Sequence, residues 1–308
     1  MAVLSVRNLR KVYPGKKPFT AVDGISFDLE EGEILGLLGP NGAGKTTTIQ
    51  MLMSTLKSSS GEILYFGKDL AKHRSEVLQH VTFASTYLSL PWNLSVEQNL
   101  DVFGRLFSLS PREFNKTRDE LLERFGILGK KRERVASLSS GQITRLMLVK
   151  AFMVKPRIVL LDEPTASLDP DVSKEVIGFI SDQRKNSGVS VLFTSHNMAE
   201  VSELCDRVLF LKKGKIFADD LPQNLINRVS KNRINLVIVE GAERAVKIAE
   251  NLQMEAAQEG KSIQLKLDEN QIAQYLASLA EAKISYSNIS INQPTLEDFF
   301  HHVAKEEK

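Results

Sequence analysis

Residues 32–49 read Gly-Glu-Ile-Leu-Gly-Leu-Leu-Gly-Pro-Asn-Gly-Ala-Gly-Lys-Thr-Thr-Thr-Ile. Within them Gly39, Gly44, Lys45 and Thr46 meet the phosphate-binding spacing G-x-x-x-x-G-K-[ST]. The glycines let backbone N–H groups turn inward with no Cβ in the way. Those donors, with the positive end of a following helix, form a cradle for a polyphosphate. Asn41, Gly42 and Thr47 complete the candidate cradle. Lys45 would reach the β- and γ-phosphates, and the Thr46 hydroxyl would ligate Mg²⁺. The plain alternative is a glycine-rich turn between a strand and a helix.

Three further stretches carry chemistry of the same kind. Asp162 and Glu163 end an apolar run, Ile158 to Leu161. An acid at that place in a phosphate-loop enzyme holds the Mg²⁺ that bridges two phosphates. A second acid beside it can orient and deprotonate the attacking water. Leu138-Ser-Ser-Gly-Gln142 precedes a helical run from Ile143 to Met153. Ser139 suits an N-cap and Gly141 permits close backbone approach, so a second anion-binding helix start is expected. His196 follows another apolar run, 189–194, and could touch a terminal phosphate if the two runs lie parallel.

The intervening pattern supplies the scaffold. Ile25, Phe27 and Leu29 alternate with polar residues, the period of a half-buried strand. Short apolar runs at 34–38, 158–161 and 189–194 read as strands buried on both faces of a parallel sheet. Val81 to Ser85 is another short strand. Ser95 with Gln98 forms a capping box, opening a helical insert over about 95–155. A hairpin turning at Lys213-Gly214 closes the region. Strands alternating with helices predict an α/β, mainly parallel sheet, with ligands at the carboxyl ends of its strands. After a polar junction over 218–231, its linker at 221–231, the order β-α-β-β-α-β plus a final helix predicts a small ferredoxin-like α+β domain over 232–308.

Composition narrows the classes. The chain has 308 residues, 42% hydrophobic and 25% charged, which fits a globular protein of two domains. Forty basic against 38 acidic residues leave a net charge of +2, which gives no case for a nucleic-acid partner. One cysteine, Cys205, excludes an internal disulfide framework and reads as a small core residue. No stretch approaches the roughly 18 apolar residues that span a bilayer. The N-terminus lacks the charged and apolar regions of a signal peptide. A cytoplasmic protein is expected.

Together these stretches resemble the ATP-binding subunit of ABC transporters. The matching residues are the Walker A loop (Gly39 to Thr46), the signature (Leu138 to Gln142), Walker B (Ile158 to Asp162), Glu163, the D-loop (Ser167 to Asp169) and the switch histidine (His196). They occur in the family's order, and the resemblance covers about residues 1–220, a P-loop cassette with an antiparallel β subdomain and the helical insert. It implies an ATPase that uses ATP and Mg²⁺, with Glu163, His196 and Lys45 as catalytic residues. It implies two such subunits, identical copies being the expectation, with ATP sandwiched between them. Lys45, Thr46 and Asp162 of one would face Ser139, Gly141 and Gln142 of the other, with Asp169 bridging the pair. Tyr13 would stack on adenine, a role its position alone leaves even with that of an ordinary rim aromatic. The insert would dock on a separate transmembrane permease, holding the protein on the inner face of the cell membrane.

One position departs from the family. Thr86 stands where a glutamine usually reaches Mg²⁺ and the attacking water. Threonine is shorter and would need an intervening water to reach the ion. A slower or differently coupled ATPase is therefore expected, and Thr86→Gln should raise basal hydrolysis; an unchanged rate would argue against it. The tail Pro294-Thr-Leu-Glu-Asp-Phe-Phe300 resembles the ending of drug- and polysaccharide-exporter ATPases, which favours export. Two alternatives stay open at this stage: an ABC-type ATPase that works without a permease, and a weakly hydrolytic ATP sensor.

Overall fold

The computed structural model describes residues 1–85, 90–228 and 232–305. The chain divides into two compact units, Met1–Pro222 and Gln223–Lys308.

In the first unit β1 (Ala2–Tyr13) and β2 (Phe19–Glu30) form a long antiparallel hairpin, followed by β3 (Ile34–Leu38) and α1 (Lys45–Leu52). Next come β4 (Ser60–Tyr65), β5 (Lys68–Asp69), α2 (Leu70–Leu78) and β6 (Val81–Ser85). The insert holds α3 (Val96–Leu106), α4 (Pro111–Arg124) and α5 (Ser140–Phe152). The chain returns through β7 (Ile158–Asp162), α6 (Pro170–Ser187), β8 (Ser190–Thr194) and α7 (Met198–Leu204), then closes with β9 (Arg207–Lys212) and β10 (Lys215–Asp220).

Two sheets result. The antiparallel one has the order β2-β1-β4-β5; the other runs β10-β9-β3-β8-β7-β6. In the second, β9, β3, β8, β7 and β6 are parallel and β10 is antiparallel at the edge. Strands β3, β7 and β8 are buried at every residue, as their unbroken apolar runs require. Leu35, Leu37, Leu160, Leu192 and Leu209 of this sheet share one core with Leu4, Leu9, Phe27 and Leu29 of the hairpin. Cys205 is buried, as expected of a small core residue.

Residues 218–220 differ from the expected polar junction. They continue β10, because the pairing with β9 runs on through Ala218↔Phe210 to Asp220↔Val208. The insert is helical, as expected, and holds three α-helices. Two 3₁₀ turns, at 128–130 and 135–137, separate α4 from α5. A charged cluster holds its front half together. Arg118, with 4% of its side chain exposed, pairs with Glu97 at 3.0 Å, Asp101 at 2.7 Å and Asp119 at 2.9 Å. Lys131 joins Glu97 and Asp119 from the following turn. Arg118→Ala strands three acids around a single lysine and is expected to cost about 3 kcal/mol. Calorimetry should show the first unit melting roughly 6–12 °C lower, and a shift under 2 °C would refute that role.

The second unit carries β11 (Asn232–Ile238), α9 (Ala242–Asn251), β12 (Ala256–Glu259), β13 (Ser262–Leu267), α10 (Glu269–Glu281), β14 (Tyr286–Asn292) and α11 (Leu296–Lys305), while α8 (Pro222–Asn227) starts at the boundary. Its strands are all antiparallel in the order β12-β13-β11-β14. That is the ferredoxin-like arrangement. Ile234, Leu236, Ile263, Leu265, Tyr275 and Leu279 form its core.

Candidate functional site

The parallel sheet brings the chemistry to one end. Ser85, Asp162 and Thr194 are register neighbours, the last residues of β6, β7 and β8. Residues leaving those strands therefore emerge side by side, next to the loop that leaves β3.

That loop is held in a conformation that only glycine fits. Gly39 stands at φ +145°, and a Cβ there would lie 2.2 Å from the Leu211 carbonyl oxygen. Gly44 stands at φ +106°, with the same atom 2.5 Å from the Ala21 carbonyl oxygen. The turn ends at the start of α1, so helix N–H groups point into the loop. Lys45 Nζ donates to the carbonyls of Gly39, at 2.6 Å, and Pro40, at 3.3 Å. Burial pulls the Lys45 ammonium below its ordinary range, while the nearby Glu163 and Asp162 carboxylates oppose that shift. An ammonium partly stripped of water, on the first residue of a helix, suits a polyphosphate.

A cavity of about 320 Å³ opens over the loop. Tyr13, Asn41, Gly42, Gly44, Lys45, Thr46, Thr47, Asp162, Glu163 and His196 line it, joined by Phe19, Ala21 and Ala43. Phe19 escaped sequence reasoning. It is the cross-strand neighbour of Tyr13 in the first hairpin, so two exposed aromatic rings stand at the mouth. The signal was there in the pairing of two strands across residues 14–18, once the register is known.

Asp162 is buried, and among the described residues its two oxygens accept from hydroxyls: Thr194 Oγ1 at 2.8 Å and Ser85 Oγ at 3.4 Å. Glu163 follows at φ +54°, a left-handed position that is costly for a residue with a side chain. Its N–H donates to the Thr194 carbonyl at 3.2 Å and to Thr194 Oγ1 at 3.1 Å, fixing this turn. Glu163 Oε2 accepts the His196 N–H at 3.1 Å. Its Oε1 lies 3.4 Å from His196 Nε2 and, among the described residues, has no aligned hydrogen-bond donor. Burial, foremost, and the adjacent Asp162 charge push the Glu163 carboxyl above the usual carboxylate range, with His196 and Lys45 pulling the other way. A buried carboxylate with a raised pKa and one free oxygen is equipped to accept a proton.

No cluster of three or more His, Cys, Asp or Glu suited to a metal ion occurs among the described residues. Magnesium does not need one, since it takes one or two protein oxygens and fills its shell with phosphate and water. Asp162, whose oxygens are engaged by neutral hydroxyls among the described residues, and the exposed Thr46 fit that demand. Thr86 lies outside the described residues.

The remaining expected residues sit elsewhere. Ser139 caps α5 through a reciprocal box: its Oγ accepts the Gln142 N–H at 3.3 Å, and Gln142 Oε1 accepts the Ser139 N–H at 3.0 Å. Gly141 passes the 167–169 turn so closely that a Cβ would lie 3.3 Å from the Ser167 carbonyl oxygen. Asp169 is exposed at the start of α6. Ser139, Gly141, Gln142 and Asp169 all lie outside the cavity lining. Within one chain the structure thus brings together the loop, Asp162, Glu163 and His196, and leaves the signature apart.

A phosphate loop, a buried acid pair and a histidine at the ends of parallel strands define a P-loop nucleotide hydrolase. The ABC transporter family profile matches residues 22–166. The chain is 31% identical to the linearmycin resistance ATP-binding protein LnrL of Bacillus subtilis, over 97% of each chain. It is 31% identical to the daunorubicin resistance ATP-binding protein DrrA2 of Streptomyces coeruleorubidus, over 91% of this chain and 89% of that one. Among solved structures, an ATP-binding subunit of an ABC transporter superposes with a TM-score of 0.69 at 25% identity, over 73% of this chain and 92% of that one. A cassette dimer bound to ADP and phosphate superposes at 0.66 and 21% identity, over 71% and 98%, which speaks to the fold alone. The chain belongs to the ATP-binding proteins of ABC transporters. It is an ATPase of the kind that powers transport, and no helix among its described residues is long and apolar enough to cross a membrane.

Proposed function

We propose that the protein drives export through a separate membrane permease, by closing on a second copy of itself around ATP and reopening after hydrolysis. The observation that carries the pairing is the exposed signature, capped and preorganised yet outside its own chain's cavity. A helix start of that kind binds an anion, and the anion it can reach belongs to another subunit. The drug-resistance relatives, similar along nearly the whole chain, support export.

In this reading Tyr13 and Phe19 hold the nucleobase by its faces, and the loop N–H groups with Lys45 hold the phosphates. Thr46 and Asp162 would hold magnesium, which would supply neutralising charge for the phosphates. Glu163 Oε1 takes a proton from the attacking water. His196 Nε2 stands beside that oxygen on the side of the γ-phosphate. Asp169 and the signature residues Ser139, Gly141 and Gln142 contact the partner copy or its nucleotide. The α3–α5 insert meets the permease, which places the protein on the inner membrane face. Residues 232–308 form an accessory or regulatory domain.

The test is purification from membranes in mild detergent. A multispanning protein should co-purify and stimulate ATP turnover. Recovery of the ATPase alone, with turnover indifferent to membrane fractions, would contradict the permease.

The raised Glu163 pKa carries a sign. Below that value the carboxyl holds its own proton and cannot accept another. Turnover should therefore fall on the acid side at a pH above the ordinary glutamate value of about 4.3. A kcat profile flat down to that value would remove Glu163 as the base.

A further inference from the structure

The two segments that carry Glu163 and His196 are tied together by a buried carboxylate that the nucleotide cavity does not include. Glu200 lies on α7, in the turn after His196, and is buried. Its Oε2 accepts from Thr165 Oγ1 at 2.7 Å and from Ser195 Oγ at 2.9 Å. Its Oε1 accepts from Asn197 Nδ2 at 3.2 Å. Ser195 Oγ in turn accepts the Asn197 N–H at 3.0 Å. All three donors to the carboxylate are neutral. Thr165 stands two residues after Glu163; Ser195 and Asn197 flank His196.

We infer that Glu200 is a positioning residue for hydrolysis: it sets the spacing of His196 and Glu163 by clamping the segments on which they ride. Two ties span those segments. The inner one is Thr194, whose carbonyl and hydroxyl accept the Glu163 N–H. The outer one is Glu200. Between them lie the two contacts of His196 with Glu163, the 3.1 Å hydrogen bond and the 3.4 Å approach. With the outer tie lost, three donors lose their acceptor and the His196 segment is held at one end only. Displacements of about 1 Å in such a pair are enough to cost up to two orders of magnitude in rate.

The clamp also reaches beyond the pair. The Leu168 N–H donates to the Thr165 carbonyl at 3.0 Å, so Thr165 anchors the 165–168 turn. The Ser167 carbonyl of that turn is the group that crowds Gly141 of the signature. Glu200 thus holds the turn through which the signature helix and the hydrolytic pair are in register. Phosphate binding uses neither Thr165 nor Glu200, so the clamp acts on turnover and spares affinity. The inference rests on the roles proposed above for Glu163 and His196.

The experiment measures kcat and KM for ATP in the full-length protein carrying Glu200→Ala, Glu200→Gln, Thr165→Val, His196→Ala and the Glu200→Ala/His196→Ala pair. Glu200→Ala should lower kcat about ten- to hundredfold with KM changed less than threefold. Glu200→Gln should recover most of that loss, because hydroxyls can reverse and accept from the amide. Thr165→Val removes one donor at nearly constant shape, which keeps the proposal testable if Glu200→Ala fails to fold; it should lower kcat severalfold. In the His196→Ala background Glu200→Ala should cost little more, since both act on one pair. Losses that multiply in the double variant, or KM rising in step with the fall in kcat, would overturn the clamp. A kcat unaffected by either Glu200→Ala or Thr165→Val would do the same. If His196→Ala alone leaves kcat intact, the site reading itself has failed, and that result separates the two.

Discussion

Glu163→Gln is expected to lower ATP turnover by about 10²–10⁴-fold while ATP still binds. The amide keeps the shape of the side chain, and its oxygen can still accept the His196 N–H. What it loses is the ability to take a proton at the oxygen that has no aligned donor among the described residues. The group also sheds a buried charge beside Asp162, so folding should not suffer. Radiolabelled phosphate release and a nucleotide-retention assay check the two halves together. Turnover within threefold of the parent would mean that another group, or water alone, does the work. Loss of ATP binding would mean that Glu163 holds the nucleotide instead of reacting with its water.

Lys45→Ala has the opposite signature. The ammonium is the cation within the phosphate loop, and its neighbours Asp162 and Glu163 repel a polyphosphate. Its removal leaves two acids facing the β- and γ-phosphates with only backbone donors to offset them. Loss of one such electrostatic partner costs roughly 2.7–4 kcal/mol, so ATP affinity should fall by about 10²–10³-fold. The folded chain should tolerate the change. Lys45 is only half-buried, and the two carbonyls that it caps return to water. Titration with a fluorescent nucleotide beside a thermal melt separates the effects. Unchanged affinity would show that the loop amides suffice, and a large drop in melting temperature would make Lys45 a structural residue.

These outcomes concern residues that were legible in the sequence because their constraints are local. Gly39 and Gly44 are forced by backbone carbonyls at 2.2 and 2.5 Å, and nothing but glycine survives there. The N-caps at Ser95 and Ser139 are closed within four residues. Strands β3, β7 and β8 announce themselves as unbroken apolar runs because both faces are covered. The ferredoxin-like order of the second unit follows from alternation alone.

What stayed hidden depends on register between distant segments. Phe19 becomes a wall of the cavity only because the first hairpin pairs it with Tyr13. Thr194 reaches Asp162 because β7 and β8 end level. Glu200 meets Thr165 across 35 residues of chain. Helix α6 is an element beyond those expected above, although its signals are local. Pro170 opens it and Gly188, at φ +65°, closes it, the usual asymmetry of helix ends.

The pairing of two copies around nucleotide is the claim on which the rest depends. Light scattering of the Glu163→Gln protein, with and without ATP and magnesium, measures it most directly. The account predicts a monomer of 34.4 kDa without nucleotide and twice that mass with it, reverting when Ser139 is replaced by a bulky residue. A single-chain mass at saturating ATP, with nucleotide bound in the loop, would contradict it.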